Sequence, residues 1–143
     1  MSRLLTYVAV FVLLERHGRY LLMRRANTGY RDGMYTIPSG HAEPGEMPAV
    51  AAARELMEEV GVVASVDQLE FVHVVYRIDP DRTYNDYVFV CREWQGEPAN
   101  MEQEKCDDLK WVDHDALPEN MVPEVLTALR GIVAGRKYSE LRT

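Results

Sequence analysis

The sequence predicts a mixed α/β fold, in which helices pack against a mixed β-sheet. Strand-like segments come first, a helical segment stands in the middle, more strand-like segments follow, and a second helical segment comes near the end. The chain has 143 residues, of which 47% are hydrophobic and 27% are charged, as in an ordinary globular domain. This composition excludes a disordered chain, a collagen-like fibre and a coiled coil. We expect residues 1–143 to form one domain.

The first two strands are predicted to form a hairpin. Residues 4–14 are a continuous apolar run rich in β-branched side chains, which is typical of a buried strand. The run is too short to span a bilayer and has no small-residue cleavage site, so we expect a strand here rather than a transmembrane helix or a signal peptide. A polar turn at residues 15–19 contains Gly18, and residues 20–24 return as the second strand.

The next segment is rich in turn-forming residues and leads into a helix. Residues 26–33 are predicted to be a loop, residues 35–38 a short extended piece, and residues 39–46 a second loop. The helix is predicted over residues 48–60, because Pro48 suits the first helical position and Gly61 is a stop signal.

The second half of the chain supplies the remaining strands and the closing helix. Strands are predicted at residues 62–66, 69–78, 87–94 and 109–112. An amphipathic helix over residues 123–134 is predicted to close the domain.

The net charge indicates which partners the chain can bind, and the cysteine content indicates its cellular compartment. With 16 basic and 23 acidic residues the net charge is −7, which makes the chain a poor binder of nucleic acid and of anionic membranes. Cys91 and Cys106 provide neither a disulfide framework nor the spacing of a zinc site. We therefore expect a reduced, cytoplasmic protein that binds neither nucleic acid nor membrane.

Three glutamates cluster on the helix predicted at residues 48–60. Glu55, Glu58 and Glu59 stand at i, i+3 and i+4, where like charges repel one another by about 0.2–0.5 kcal/mol per pair. One interpretation is a solvated acidic face. The other is a cation site, because clustered carboxylates are the oxygen ligands that Mg²⁺ and Mn²⁺ prefer.

The context of these glutamates favours the cation site. Gly40 is followed by five residues and Glu46, and after seven more residues comes the run Arg54-Glu55-Leu56-Met57-Glu58-Glu59-Val60-Gly61-Val62. This pattern resembles the signature of the Nudix hydrolase family at every specified position. The resemblance covers nearly the whole chain and implies the Nudix α/β/α sandwich, with a mixed sheet between helices. Ser39 is a departure, because glycine is more common there.

The resemblance implies roles for the residues of this box. Glu55, Glu58 and Glu59 resemble the family's metal ligands for Mg²⁺ or Mn²⁺, and the main-chain carbonyl of Ser39 or Gly40 resembles a further ligand. Glu58 and Glu59 are also the candidates for the general base. The resemblance further implies that Glu46 and Arg54 form a structural ion pair between loop and helix, and it leaves open whether Glu43 contacts metal or only solvent.

Further candidates lie outside the box. Glu104 belongs to a segment that resembles a loop of MutT-like enzymes, where an acid approaches the metals or the base; a plain surface turn is the alternative. Arg24 and Arg25 end a strand that faces the same region, so they are candidates for phosphate binding or are simply surface charges. Three tyrosines in or beside loops are candidates for stacking on a base, namely Tyr30, Tyr35 and Tyr84.

The resemblance implies a Mg²⁺-dependent pyrophosphohydrolase that acts on a nucleoside diphosphate linked to another group. The favoured substrate is a nucleoside triphosphate, cleaved to monophosphate and pyrophosphate. One alternative is a nucleotide-sugar pyrophosphatase of the ADP-ribose type. The other is a noncatalytic nucleotide-sensing domain, against which the intact box argues. The expected partner is a small-molecule nucleotide, and the sequence is also compatible with a homodimer.

Overall fold

The computed structural model describes residues 2–143, which form an eight-stranded mixed β-sheet flanked by two helices. The strands are β1 (Tyr7–Arg16), β2 (Arg19–Arg25), β3 (Tyr35–Thr36), β4 (Ser39–His41), β5 (Leu69–Ile78), β6 (Thr83–Cys91), β7 (Cys106–Asp113) and β8 (Tyr138–Arg142). The helices are α1 (Pro48–Val60) and α2 (Pro123–Val133). No helix among residues 2–143 is long and apolar enough to cross a membrane.

Strand β1 lies at the centre of the fold and is buried on both faces. Val10, Val12 and Leu14 belong to the core that packs against α1. Phe11 and Leu13, which point to the opposite face, belong to the core that packs against α2. Burial on both faces explains why this strand reads as a continuous apolar run rather than an alternating one. The sheet therefore lies between the two helices, which confirms the predicted α/β/α sandwich.

The predicted hairpin is present, but its two strands separate away from the turn. His17 and Gly18 both have positive φ values, 54° and 73°, as a tight hairpin turn requires. Strands β1 and β2 pair only next to this turn. Farther along, β1 pairs instead with β4, and Val12 N–H donates to the carbonyl of Pro38. The opening between β1 and β2 brings β4 beside α1.

Helix α1 has the predicted bounds because both of its ends have clear signals. Pro48 occupies the first helical position. Gly61 ends the helix in the left-handed conformation with φ 71°, and its N–H donates to the carbonyl of Met57. Ala51 and Ala52 are completely buried against the sheet, so α1 lies close to β1.

The structure corrects several predicted elements. Residues 62–66 do not form a strand, because Val63 makes only an isolated bridge to Gln95 and the chain then enters a 3-10 turn. Residues 39–41, predicted as loop, are strand β4. The chain does not close with α2, because β8 follows and pairs in parallel with β5.

Buried His73 fixes β8 to the fold. Its Nδ1 lies 2.9 Å from the carbonyl oxygen of Arg136, and its Nε2 lies 2.8 Å from the hydroxyl of Ser139. Because a carbonyl can only accept, Nδ1 carries a proton that it donates to Arg136. Both ring nitrogens therefore have hydrogen-bond partners in the buried interior.

Candidate active site

A cleft rich in carboxylates lies where α1 meets β2, β4 and the segment before β7. Its volume is about 310 Å³. We call it the acidic cleft, and its lining includes Arg24, Arg25, Ser39, Glu55, Glu58, Glu59 and Glu102. The structure thus brings the three glutamates of α1 together with both candidate arginines and with Ser39.

Glu59 is the carboxylate that β4 holds directly. The main-chain N–H of Ser39 donates a 2.6 Å hydrogen bond to Glu59 Oε1. Burial raises the pKa of Glu59 to about 8, helped by the charges of Glu55 and Glu102 and opposed by the hydrogen bond from Ser39. The environment of Glu59 therefore disfavours its ionised form, and a bound cation would stabilise that form.

Gly40 is required by its close approach to Glu55. A Cβ atom at position 40 would lie 2.1 Å from Glu55 Oε1 and 2.2 Å from its Cδ. Burial also raises the pKa of Glu55, a shift that the charge of Arg54 opposes. The first glycine of the box therefore makes room for a carboxylate of α1 beside β4.

The side chain of Arg54 links the loop before α1 to the helix itself. Its Nε lies 2.8 Å from Glu46 Oε2 and its Nη2 lies 2.9 Å from Glu46 Oε1, which is a bidentate ion pair. Hydrogen bonds from Arg54 lower the pKa of Glu46 to about 2. The Nη1 atom of Arg54 also reaches Glu55 Oε1 at 2.9 Å and Glu58 Oε2 at 3.3 Å.

The residues of the acidic cleft fit a hard divalent cation by their chemistry. Two carboxylates with raised pKa values stand beside the backbone of β4, and carboxylate and carbonyl oxygens are the ligands that Mg²⁺ takes. Within residues 2–143, however, no three acidic, histidine or cysteine side chains already form a closed ligand set. One reason is that Arg54 forms ion pairs with Glu55 and Glu58, which draw these two carboxylates toward its guanidinium.

The segment before β7 contributes a different acid from the predicted one. Glu102 lines the acidic cleft, whereas the side chain of Glu104 is exposed and is not part of the lining. The cause is a turn, in which the N–H groups of Lys105 and Cys106 both donate to the carbonyl of Glu102. Glu102 and Glu104 are two residues apart in the sequence, and the geometry of the turn decides which of them faces the acidic cleft.

The two candidate arginines differ in how they are held. Arg24 Nε lies 2.7 Å from Asp107 Oδ1, so Arg24 is paired at the rim of the acidic cleft. Arg25 donates from Nε to the carbonyl of Tyr30 at 2.8 Å and from Nη2 to Thr28 Oγ1 at 3.2 Å. Arg25 is therefore fixed by the loop before β3 without a carboxylate partner in these contacts.

A second, larger cleft opens beside the first. Its volume is about 500 Å³, within the usual size of a small-molecule site. We call it the aromatic cleft, and its lining includes Tyr30, His41, Arg77, Arg82, Tyr84 and Glu124. The two clefts share Arg25, Thr36, Ser39 and Glu59, so they meet at one edge of the acidic cleft.

The predicted stacking tyrosines fall into two groups. Tyr30 and Tyr84 line the aromatic cleft, where the ring of Tyr84 lies 5.8 Å from the ring of His41. Tyr35 is buried, and its hydroxyl donates a hydrogen bond to Asp108. Tyr30 is 45% exposed, whereas Tyr84 is buried and the Arg77 guanidinium lies 3.9 Å from the centre of its ring. Tyr30 is therefore the tyrosine that a planar ligand can reach.

Beneath the aromatic cleft lies a buried charge cluster that the sequence analysis missed. Arg77 of β5 makes a bidentate pair with Asp86 of β6, at 2.7 Å and 3.0 Å. Its Nη1 lies 2.6 Å from Asp79 Oδ2 and 3.2 Å from Glu124 Oε2. Burial tends to lower the pKa of Arg77, but the hydrogen bonds to Asp86 and the three acidic charges raise it. The sequence does carry one signal for this cluster, because the charged Arg77 lies within β5 next to apolar residues.

Comparison with known proteins identifies the family to which this chain belongs. The NUDIX domain model matches residues 4–130. The chain belongs to the Nudix hydrolase family. This match confirms the resemblance that the box predicts, and the hydrolase class with it.

The Nudix chain has relatives of several named activities. It is 32% identical over 95 residues to the 8-oxo-dGTP diphosphatase of Escherichia coli K12, covering 66% of this chain and 72% of the relative. It is 27% identical over 136 residues to the phosphatase NudJ of the same strain, covering 92% and 86%. Its fold matches the crystal structure of a MutT NUDIX hydrolase from Burkholderia pseudomallei with a TM-score of 0.82 at 26% identity, covering 88% and 97% of the two chains.

Proposed function

We propose that this Nudix hydrolase is a Mg²⁺-dependent pyrophosphohydrolase that cleaves nucleoside triphosphates to monophosphate and pyrophosphate. The observation that carries the proposal is the junction of the two clefts at Ser39 and Glu59. A nucleotide that spans this junction has its phosphates among carboxylates and arginines and its nucleoside among aromatic rings. The diphosphatase named among the relatives supports the same class of reaction.

The acidic cleft provides the groups for the phosphate end. Glu55, Glu58 and Glu59, with the carbonyl of Ser39 or Gly40, are the proposed ligands of the cation. When bound, the divalent cation would neutralise phosphate charge, lower the pKa of a water and stabilise the leaving oxygen. Arg25, which is held in place by Tyr30 and Thr28, is positioned to donate to a phosphate oxygen at the junction.

Glu58 is the favoured proton acceptor among the carboxylates of the acidic cleft. Its side chain is 53% exposed, and its contact to Arg54, at 3.3 Å, is the longest of that arginine's three carboxylate contacts. Glu59 has one oxygen held by Ser39, and Glu55 is held by Arg54 and confined by Gly40. Glu58 can therefore turn toward an attacking water and take its proton.

The test is a substrate panel with resolved products. Nucleoside triphosphates, dinucleoside polyphosphates and nucleotide sugars are incubated with the protein in Mg²⁺ and then in Mn²⁺, and the products are separated by chromatography. Monophosphate and pyrophosphate from a triphosphate are the expected products. The Glu59→Gln variant, purified in parallel, controls for contaminating phosphatases.

Other outcomes have definite meanings. Faster cleavage of ADP-ribose than of every triphosphate would assign the protein to the nucleotide-sugar pyrophosphatases. Nucleotide binding without turnover in either metal would assign it to the noncatalytic sensing domains.

A further inference from the structure

The chain between β6 and β7 is bonded to the end of helix α1 through its backbone. The N–H of Ala99 donates to the carbonyl of Val60 at 3.0 Å, and the N–H of Met101 donates to the carbonyl of Glu59 at 3.1 Å. These carbonyls belong to the last turn of α1, whose C=O groups have no partner within the helix. The segment is therefore fixed on both sides of Asn100, directly beside the helix that carries the glutamates of the acidic cleft.

The side chain of Asn100 closes the turn that follows. Its Nδ2 donates to the carbonyl of Cys106 at 2.7 Å, and its Oδ1 accepts from the N–H of Glu102 at 3.0 Å. These partners fix the orientation of the amide, because a carbonyl can only accept and an N–H can only donate. Asn100 therefore holds the beginning and the end of the turn that presents Glu102.

Glu102 needs such a restraint because it stands among other carboxylates. It lines the acidic cleft together with Glu55 and Glu59, and its charge contributes to the raised pKa of each. Like charges in a partly buried cleft repel one another, so an unrestrained turn would move Glu102 toward solvent. Glu104 of the same turn shows this alternative position, because its side chain is exposed and lies outside the lining of the cleft.

We propose that Asn100 is a positioning residue, whose carboxamide holds the Glu102 carboxylate in the acidic cleft against the repulsion of the α1 glutamates. The inference rests on the proposed function, because Glu102 serves the reaction only if this cleft binds the cation and the phosphates. Asn100 itself lines neither cleft, so it acts through Glu102. Replacing a residue that supports the groups around a metal changes metal affinity or activity by about 10–100-fold.

Two substitutions separate the two contacts of Asn100. Asn100→Ala removes both hydrogen bonds. Asn100→Asp keeps an acceptor for the N–H of Glu102 but places a carboxylate oxygen against the carbonyl of Cys106, so that end of the turn should open. Gln103→Ala is the matched control, because it removes an amide from an exposed side chain of the same turn, outside the lining of both clefts.

Amide hydrogen exchange, followed by NMR without metal or nucleotide, measures the restraint directly. The Glu102 amide should be protected in wild type and in Gln103→Ala, and should exchange at least about tenfold faster in Asn100→Ala. Asn100→Asp should give an intermediate rate, because it keeps the contact to this amide. A Glu102 amide that exchanges in wild type as fast as an unprotected amide would overturn the proposal, and this result needs no variant that folds.

A double-mutant cycle with Glu102→Gln tests whether Asn100 acts through Glu102. Mn²⁺ affinity, measured by calorimetry without nucleotide, and kcat/KM with a triphosphate are compared for wild type, both single variants and the double variant. We expect Asn100→Ala to lower both quantities about fivefold or more in the wild-type background and less than about twofold in the Glu102→Gln background. An equal loss in both backgrounds would indicate a general structural role and would overturn the proposal.

The experiment distinguishes failure of this inference from failure of the proposed function. Exchange and Mn²⁺ binding are measured without substrate. If Asn100→Ala changes both and no triphosphate is cleaved by wild type, the positioning role is supported and the proposed hydrolysis is contradicted. If wild type cleaves triphosphates and Asn100→Ala leaves both kcat/KM and Mn²⁺ affinity unchanged, the positioning role is wrong and the proposed hydrolysis stands.

Discussion

The main-chain N–H of Ser39 donates a 2.6 Å hydrogen bond to Glu59 Oε1, which ties strand β4 to helix α1 inside the acidic cleft. This contact uses only the backbone of residue 39. A serine can therefore stand where glycine is more common in the family without losing the bond. The same contact orients one carboxylate of the cleft before any ligand arrives.

Removing either carboxylate should stop the reaction without unfolding the protein. We expect Glu58→Gln and Glu59→Gln to lower kcat at least about 100-fold, because Glu58 is the proposed base and Glu59 a proposed ligand. Circular dichroism and thermal melts should show the wild-type fold, with metal-free stability unchanged or higher. Glu58→Gln removes one charge from the repelling cluster, and Glu59→Gln removes a carboxyl group from a site that disfavours its ionisation. Glu93→Gln, an exposed residue elsewhere, is the control. Near wild-type kcat in saturating Mg²⁺ would contradict these roles.

A methyl group at position 40 should weaken cation binding. The added Cβ of Gly40→Ala would lie 2.1 Å from Glu55 Oε1, so the carboxylate must move. Because that atom is the end of a flexible side chain, the fold should survive. We expect the Mg²⁺ concentration for half-maximal rate to rise about 10-fold or more. A metal titration of activity checks this, and an unchanged midpoint would show that Glu55 does not act on the cation.

The two acids of the turn before β7 should have unequal effects. Glu102 lines the acidic cleft and Glu104 does not. We expect Glu102→Gln to reduce kcat/KM about 10-fold or more, and Glu104→Gln to have a clearly smaller effect. Steady-state kinetics of the two variants at the same Mg²⁺ concentration decide between them. The reverse order would restore Glu104 as the acid of this segment.

The ion pair of Glu46 and Arg54 should contribute to stability in a definite pH range. The pKa of Glu46 is lowered to about 2 in the folded protein from the ordinary value of 4.5. The stabilisation is therefore complete above pH 4.5 and is lost as the pH falls toward 2. Glu46→Gln should be less stable than wild type at pH 7, and the difference should shrink over this acidic range.

Thermal melts across pH test the ion pair directly. Glu43→Gln is the matched control, because it makes the same chemical change in an exposed side chain of the same loop. If Glu46→Gln and Glu43→Gln have the same pH profile, the pair makes no contribution to stability.

The bond that breaks can be located with labelled water. We expect a nucleoside triphosphate to release pyrophosphate, with ¹⁸O from the solvent in the pyrophosphate if the phosphorus farther from the nucleoside is attacked. Mass spectrometry of both products checks this. Label in the monophosphate would place the attack on the α-phosphorus, and inorganic phosphate as the first product would contradict the assigned bond.

The parts of the fold with local signals were predictable from the sequence. Helix α1 has the predicted bounds because Pro48 and Gly61 mark its ends chemically. Strand β8 has no such signal: it is mostly polar, with every second residue exposed, and its pairing depends on β5 and on His73, more than 60 residues away. Residues 62–66 show the opposite case, because their β-branched side chains favour a strand that does not form. Val62 is completely buried and Val63 and Val66 are exposed, and Val63 makes only an isolated bridge to Gln95.

In the candidate site, too, some features have a local sequence signal and others depend on contacts between distant residues. The three glutamates of α1 share one helix, so their spacing alone brings them together. Glu124 and Arg77 are 47 positions apart, and an acid in the first turn of a helix is ordinary because it suits the helix dipole. Only the packing of α2 on β5 buries that acid against Arg77.

The two clefts meet at Glu59 and Ser39 but draw their remaining walls from separate parts of the chain. Three carboxylates of the acidic cleft come from α1, whereas Arg77, Tyr84 and Glu124 of the aromatic cleft come from β5, β6 and α2. Residues of the second group can therefore mutate without disturbing the helix that holds the carboxylates. Substitutions in the aromatic cleft can therefore change which ligand is bound while the carboxylates of α1 stay in place. Evolution and protein engineering can both use this separation.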